Sequence, residues 1–297
     1  MGQGKIAAVV VTYNRKELLC RCLMALQAQN TAKPDILVID NASTDGTGQA
    51  VQALELPGLH YCNTGRNLGG AGGFAFGVRA AMAAGYEYLW LMDDDTLPEP
   101  DALQAFLRVD KDLKGIYGWL SSRALTPAGE DQPMNRQRKT PYRDIDGYEQ
   151  DLVPSVMASF VSLFMPAETV RKVGLPIAEF FIWSDDWEYT RRISRQMPCY
   201  TVSSSRVVHA MKNSTVVNIA ADVPARWERY RYFYRNDVYL YRREGIIGWL
   251  WLLTKFAWHS AQVLVSPSGK RLQRLSIIWK GFFAGIRFNP PVQGIDN

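Results

Sequence analysis

The stretch Tyr88-Leu-Trp-Leu-Met-Asp-Asp-Asp-Thr-Leu-Pro98 constrains this chain more than any other. An apolar run enters three consecutive carboxylates, and the chain then turns at a proline. A short, uninterrupted apolar run bounded by polar turn residues predicts a strand buried on both faces of a parallel sheet. In open α/β sheets, ligands gather in the crevice at the carboxyl ends of the strands. Asp93, Asp94 and Asp95 are therefore expected at a binding edge, where three anions repel one another unless a cation joins them. Mg²⁺, usually held by one or two carboxylates together with substrate phosphate, is the natural partner. A solvated acidic turn is the plain alternative.

The flanking sequence repeats the strand-helix theme. Residues 6–12 are short, apolar and β-branched, predicting a first parallel strand that ends at Thr12-Tyr-Asn-Arg15. Leu18, Leu19, Cys22, Leu23 and Leu26 recur at helical spacing. Residues 36–40 form a second strand running into Asp40-Asn-Ala-Ser-Thr-Asp-Gly46, and a third strand is expected near residues 59–62. Such alternation predicts a doubly wound sheet with right-handed crossovers. Arg66-Asn-Leu-Gly-Gly-Ala-Gly-Gly-Phe74 then opens an alanine-rich helix, where glycines let backbone approach a ligand and the helix amino end favours anions. A dinucleotide fingerprint would place its glycines just after the first strand, so a Rossmann dehydrogenase is disfavoured.

Downstream, residues 100–107 read as a helix, and 121–150, polar and rich in charge, as a mobile loop over the site. Residues 155–165 read as a strand. Trp183-Ser-Asp-Asp-Trp-Glu188 follows, aromatics around three carboxylates, and then a basic helix over residues 191–195. A last short strand over 207–210 carries His209.

Charge is unevenly spread. The net +5 of the chain conceals +8 in residues 226–297, which also hold five of the nine tryptophans. Basic plus aromatic composition suits a surface that meets anionic lipid head groups. Lys255 and His259 interrupt the apolar run 246–259 before spanning length, predicting an interfacial helix rather than a membrane-crossing one, with packing against the rest of the chain as the alternative. No recognised nucleic-acid module accompanies the positive charge. The four cysteines show no pairing pattern and residues 1–5 lead straight into a strand without a secretory signal, which predicts a reducing, cytoplasmic setting.

Taken together, Thr12-Tyr-Asn-Arg15, Asp40-Asn-Ala-Ser-Thr-Asp45, Arg66-Asn-Leu-Gly-Gly-Ala-Gly-Gly73, Asp93-Asp-Asp95 and Trp183-Ser-Asp-Asp-Trp-Glu188 resemble the family 2 glycosyltransferases of the GT-A fold. The nearest branch in resemblance is the bacterial galactofuranosyl- and rhamnosyltransferases, and it covers roughly residues 5–240. The resemblance implies a GT-A domain over residues 1–225, with a nucleotide half (1–98) and an acceptor half (99–225), followed by a helical extension over 226–297. It places the nucleotide on Thr12, Asn14, Arg15, Asp40, Asn41, Arg66, Asn67, Gly69, Gly70, Asp93 and Asp94. Asp40 would accept the imide N–H of uracil or thymine. Asp93, Asp95 and His209 would hold Mn²⁺ or Mg²⁺, a Lewis acid for the departing nucleoside diphosphate. Asp186 matches the general base, with Trp183, Asp185, Trp187 and Glu188 receiving the acceptor. Ser184 stands where that branch often carries an aromatic residue.

The implied activity is inverting transfer from a UDP- or dTDP-linked sugar to a lipid-linked glycan, at the inner face of the cell membrane. A non-catalytic nucleotide-sugar-binding scaffold is the alternative from another class, though a scaffold has no use for a base at 186. A nucleotidyltransferase shares the strand-end carboxylates but not the order of motifs. Oligomeric state is left open.

Overall fold

The computed structural model of the chain describes residues 4–211, 217–267 and 269–295. In chain order, the first half comprises β1 (Ile6–Thr12), α1 (Lys16–Gln27), β2 (Asp35–Asp40), α2 (Thr47–Gln52), β3 (Leu59–Asn63), α3 (Gly69–Ala83), β4 (Tyr88–Asp93), β5 (Thr96–Pro98) and α4 (Ala102–Leu113). Then follow β6 (Leu120–Leu125), β7 (Arg138–Thr140), β8 (Arg143–Asp144), β9 (Leu152–Pro154), β10 (Leu163–Pro166), α5 (Ala167–Val173), α6 (Asp185–Ser194) and β11 (Tyr200–His209). Three helices end the chain: α7 (Tyr230–Tyr241), α8 (Gly245–Val265) and α9 (Arg271–Arg287).

A nine-stranded sheet runs in the order β3-β2-β1-β4-β10-β6-β11-β5, with β9 also on β11. From the pairings, β3, β2, β1, β4, β6 and β11 run one way, while β10, β5 and β9 oppose them. All seven residues of β1 are buried because helices cover both faces. Ala7, Val9 and Val11 pack with α3, while Ile6, Ala8 and Val10 pack with α1 and α4. A strand covered twice has no polar side to alternate with, which is why it reads as a continuous apolar run. In parallel register Val11 pairs with Asp93 and Thr12 with Asp40, so the polar ends of β1, β2 and β4 form one edge.

Four expectations change. Residues 121–150 do border the cavity described below, but they are built rather than loose. They contribute a strand of the main sheet and the β7–β8 hairpin, with Gln132, Asn135 and Gln137 buried. Their polarity is internal: Ser122 Oγ bonds both Ser162 Oγ and Ser205 Oγ at 2.7 Å, and Gln137 donates to Ser121 Oγ at 2.9 Å. Polar residues that satisfy one another can be buried, and composition cannot distinguish them from exposed ones. The strand expected over 155–165 is confined to β10, which runs antiparallel to β4. The acidic 185–188 segment is itself the start of α6, and β11 spans ten residues.

The fourth change concerns the tail. Helix α7 packs inward: Tyr230, Tyr234 and Val238 are fully buried in a cluster with Met157, Ile278 and Phe256, and Trp183 and Trp187 lie against it. Helix α8 has two faces, and its outer one stays open, with Ile246 80 % and Trp258 64 % exposed. No helix among the described residues is long and apolar enough to cross a membrane.

The fit of α3 on the sheet depends on missing side chains. A Cβ on Gly77 would stand 2.4 Å from Val9 Cγ1 and 2.9 Å from Ile39 Cγ1. Gly77→Ala should therefore cost about 1–3 kcal/mol of stability by overpacking, read as a lower urea midpoint with an unchanged slope.

Candidate active site

The carboxyl edge of β4 delivers the acidic trio, and its neighbours decide how each charge is held. Thr12 Oγ1 donates to Asp94 Oδ2 at 2.7 Å, and Arg15 Nη1 reaches Asp94 Oδ1 at 3.3 Å and Asp95 Oδ2 at 2.5 Å. From β11, His209 Nε2 lies 3.0 Å from Asp95 Oδ1. His209 Nδ1 meets Asn135 Oδ1 at 2.7 Å. Because that amide oxygen only accepts, Nδ1 carries the proton and Nε2 is the nitrogen turned to the carboxylates.

The charges respond to these surroundings. Burial works to raise Asp95, yet His209 and Arg15 outweigh it and hold the group below its ordinary value. Burial, reinforced by repulsion from Asp95, pushes Asp93 up to about 7. Asp94 rises to about 6, again through burial and only partly countered by Arg15. His209 is raised, because Asp95 outweighs the burial that would lower it.

One ligand atom from each of Asp93, Asp95 and His209 falls within 4.8 Å of the others. Asp95 Oδ1 is buried without an aligned hydrogen bond. Two carboxylates and an imidazole, the latter fixed through its far nitrogen, suit a divalent cation of the Mn²⁺ or Mg²⁺ kind. The residues present fit such an ion.

Facing this cluster is the second acidic group. Phe181, Trp183 and Ser184 all take left-handed backbone angles, with φ of 63°, 66° and 63°. Each such non-glycine residue costs on the order of 1 kcal/mol. The tight coil ends at Asp185, where α6 begins, and Asp185, Asp186 and Glu188 occupy its first turn, where the helix dipole favours anions. Asp186 Oδ1 accepts from the Trp187 N–H at 2.7 Å. Burial, with Asp185 and Asp93 adding repulsion, raises the Asp186 carboxyl well above the usual range, and burial lifts Asp185 to about 6.

A cavity of about 550 Å³ joins the two clusters, and Asp93, His209, Asp185 and Asp186 all line it. Trp183, Trp187 and Gly70 also line it. Glu188 does not: it pairs with Arg192 within α6 at 3.0 Å and lies beside a smaller pocket among Arg191, Arg195 and Arg243, so its expected contact with an acceptor is corrected.

The remaining expected nucleotide residues surround the trio without lining this cavity. Asn14 Oδ1 accepts from the Thr44 N–H at 2.7 Å and its own N–H donates to Ser43 Oγ, tying the β1 turn to the β2 turn. Asp40 has no exposed surface. Its oxygens already accept from the Tyr61 hydroxyl at 2.6 Å and the Ser43 N–H at 2.8 Å, so a base would have to share an engaged atom. Asn41 donates to Gly69 O at 3.1 Å. Asn67 Oδ1 caps the Gly69 N–H at 2.8 Å, and Arg66 is exposed. The glycines divide in role. A Cβ on Gly69 would meet Phe181 O at 2.1 Å, and one on Gly73 would meet Val11 at 2.5 Å, while Gly70 faces open space. Only Gly70 keeps the expected freedom to let a ligand approach.

Several site residues had no signature of their own. Asn135 sits 74 positions from the histidine it orients. Arg138 stacks on Trp187 with its guanidinium 3.9 Å from the ring centroid. Asp237, Tyr241 and Lys255 reach the cavity from the terminal helices. A pairing of this kind becomes visible only after the chain has folded.

The sheet order, with its ligand edge at the acidic trio, is that of the GT-A class of glycosyltransferases. Residues 7–163 match the model of Glycosyl transferase family 2, and the chain belongs to that family. Galactofuranosyltransferase GlfT1 of Mycolicibacterium smegmatis is 28 % identical over 283 residues, spanning 86 % of this chain and 89 % of the relative. An undecaprenyl-phosphate mannosyltransferase of Micrococcus luteus is 32 % identical over 116 residues, 38 % of this chain and 47 % of its own length. Among solved structures, the mannosyltransferase PcManGT from Pyrobaculum calidifontis, in complex with GDP-Man and Mn²⁺, superposes with a TM-score of 0.58 at 17 % identity. That match covers 98 % of this chain and 77 % of PcManGT. S. aureus TarS 1-349 in complex with UDP-GlcNAc gives 0.56 at 13 % identity, covering 94 % of this chain and 73 % of TarS 1-349.

Because Asn135 holds the imidazole by its far nitrogen, Asn135→Leu should weaken Mn²⁺ binding by about 10–100-fold with the fold preserved. Calorimetric titration with Mn²⁺, beside circular dichroism, checks this.

Proposed function

We propose that this glycosyltransferase is inverting and divalent-cation dependent. It transfers galactofuranose, with rhamnose as second choice, from a UDP- or dTDP-linked donor to a hydroxyl of a lipid-linked glycan in surface polysaccharide synthesis. One observation carries the reading: Asp93 and His209, two members of the Asp93–Asp95–His209 cluster, line the same cavity as the Asp185–Asp186 pair. The sugar is suggested by the similarity to galactofuranosyltransferase GlfT1 over most of both chains, and a lipid-linked acceptor is in keeping with the undecaprenyl-phosphate mannosyltransferase.

In this reading Asp93, Asp95 and His209 hold the cation, which when bound supplies Lewis-acid stabilisation of the departing diphosphate. Arg15, half-exposed beside Asp94 and Asp95, adds a fixed positive charge on the same side. The turns carrying Thr12, Asn14, Asn41, Arg66 and Asn67 frame the nucleotide, and Gly70 leaves room for it. Across the cavity Asp186 takes the proton of the acceptor hydroxyl as that oxygen bonds the sugar carbon and the bond to the nucleoside diphosphate breaks. Attack from the face opposite the leaving group inverts the centre. A hydroxyl is a poor nucleophile until deprotonated, and a carboxylate whose proton affinity is raised by burial is the better base. Trp183 and Trp187 offer flat apolar faces to sugar rings.

The terminal helices supply a place for the lipid. On α8, Ile246, Ile247, Leu250, Leu253 and Trp258 are exposed together, and on α9 Leu272 and Phe283 are too. Lys270, Arg271, Lys280 and Arg287, all exposed, border this apolar surface. Apolar area rimmed by cations is complementary to an anionic bilayer surface.

Asp186→Asn and Asp95→Ala should each lower transfer by at least about 10³-fold while leaving thermal melting within a few degrees; full activity in either removes that residue from its role. Since Asp186 must be ionised to accept a proton, kcat/KM should rise with pH. Its acid limb should lie above the ordinary carboxylate range, because burial raises that group. A limb near pH 4 would contradict the assignment. For the lipid surface, the double variant Leu250→Asp, Trp258→Asp should reduce co-sedimentation with phosphatidylglycerol vesicles by at least about tenfold. Unchanged sedimentation would exclude this face.

A further inference from the structure

The strained segment that delivers Asp185 and Asp186 is gripped from outside by a side chain that the chemistry above leaves unused. We propose that Asn236, on α7, is a positioning residue: its buried amide clasps segment 180–184 in its left-handed coil and so sets where the acidic pair stands in the cavity. The inference rests on reading Asp186 as the base.

Asn236 has no exposed surface. Its Nδ2 lies 3.0 Å from Phe180 O, 3.1 Å from Ile182 O and 2.9 Å from Trp183 O. Its Oδ1 is held by Arg235, whose Nε and Nη2 donate to it at 3.0 and 2.9 Å. An acceptor facing two guanidinium donors must be the oxygen, so the donor end of the amide is turned to the segment. The left-handed turns at 181, 183 and 184 bring the carbonyls of 180, 182 and 183 toward one point, where a single NH₂ group meets them, and turn that of 181 the other way.

The next residue completes the grip. Asp237, also buried, accepts from Ser184 Oγ at 3.3 Å and from Lys255 Nζ at 2.6 Å, so α8 backs α7. On its far side the segment is anchored by the Phe181 carbonyl, which accepts from the Ala71 N–H at 3.2 Å. Non-glycine residues remain left-handed only where their surroundings over-determine them. With the amide gone, the carbonyls of 180, 182 and 183 lose their shared donor, and the coil can relax toward ordinary backbone angles. Asp185 and Asp186 begin the helix that follows, so they would move with it. A side chain that merely filled space would not need this donor geometry.

The test compares wild type, Asn236→Ala, Ser184→Gly and the double variant in the full chain. Two readouts are used: transfer kinetics, and amide hydrogen exchange of peptides covering 178–190. For Asn236→Ala, the clasp requires exchange over 180–188 to accelerate by at least about tenfold and kcat to fall by at least about tenfold. Donor KM should stay within about twofold, because the cation cluster is untouched. Glycine takes the left-handed angles without strain. Adding Ser184→Gly to Asn236→Ala should therefore restore kcat at least about threefold, although the same change alone is neutral or harmful. A purely structural asparagine would not be rescued in this way. Unchanged exchange over 180–188, or a double variant no better than Asn236→Ala, overturns the clasp. Accelerated exchange with transfer intact upholds the clasp and instead removes Asp186 as base. Should Asn236→Ala fail to fold, Asn236→Ser, which keeps one donor, carries the same comparison.

Discussion

Three adjacent carboxylates at a buried sheet edge are costly to keep ionised, and much of the surrounding structure answers that cost. β1 contributes Thr12 and, just past its end, Arg15, which together hold Asp94; Arg15 also spans to Asp95. β11 brings His209 to Asp95, and Asn135 fixes the ring from behind. Asp93, buried and repelled by Asp95 and only partly countered by His209 and Arg15, is pushed to about 7. A site that is under-neutralised in this way gains from an added cation. The sheet, by stacking the ends of β1, β4 and β11 around one point, concentrates the deficit rather than spreading it.

What could be read in advance follows from this geometry. Strands covered on both faces must be apolar throughout, so β1 and β4 announced themselves, as did the charges where burial ends. Residues 121–150 misled because Ser121, Ser122 and Gln137 are buried by satisfying one another, and a polar stretch carries no mark of whether its partner is water or protein. Asn135 and Asn236 act on groups 74 and about 55 positions away. No local period encodes such a partnership. Glu188 had the right charge in the right motif but the wrong helical face: four residues on, Arg192 takes both of its oxygens.

The glycine-rich entrance to α3 shows the same limit from another side. Glycines before a helix suggest close approach of a phosphate, yet Gly69 makes room for the Phe181 carbonyl and Gly73 and Gly77 for β1 and β2 side chains. The motif is thus partly a joint between the two halves of the site. The segment that leads into Asp186 rests directly on the amino end of α3, the helix that follows the Arg66–Asn67 turn. A change in one half is thus coupled to the other through a contact of backbone on backbone, the Ala71 N–H to Phe181 carbonyl hydrogen bond.

Helix α8 is apolar on its outer face as well as on its inner one. Its two ionisable side chains, Lys255 and His259, face the cavity, while Leu252, Phe256 and Val263 pack inward and a second apolar set, Ile246, Ile247, Leu250, Leu253 and Trp258, faces away from the protein. Burial, aided by Lys255, lowers His259 to about 4, so it is neutral at ordinary pH, and Lys255 is balanced by Asp237. The cavity wall on this side therefore carries little net charge and presents Phe233, Tyr241 and Trp187, surfaces better matched to a sugar ring than to an anion. On the proposed reading, one helix would lie in the lipid head groups with one face and bound the acceptor chamber with the other. A glycan tethered to that bilayer would then enter beside α8, already close to Asp186. Membrane attachment would serve the enzyme less by raising its local concentration than by limiting the directions from which an acceptor hydroxyl can arrive.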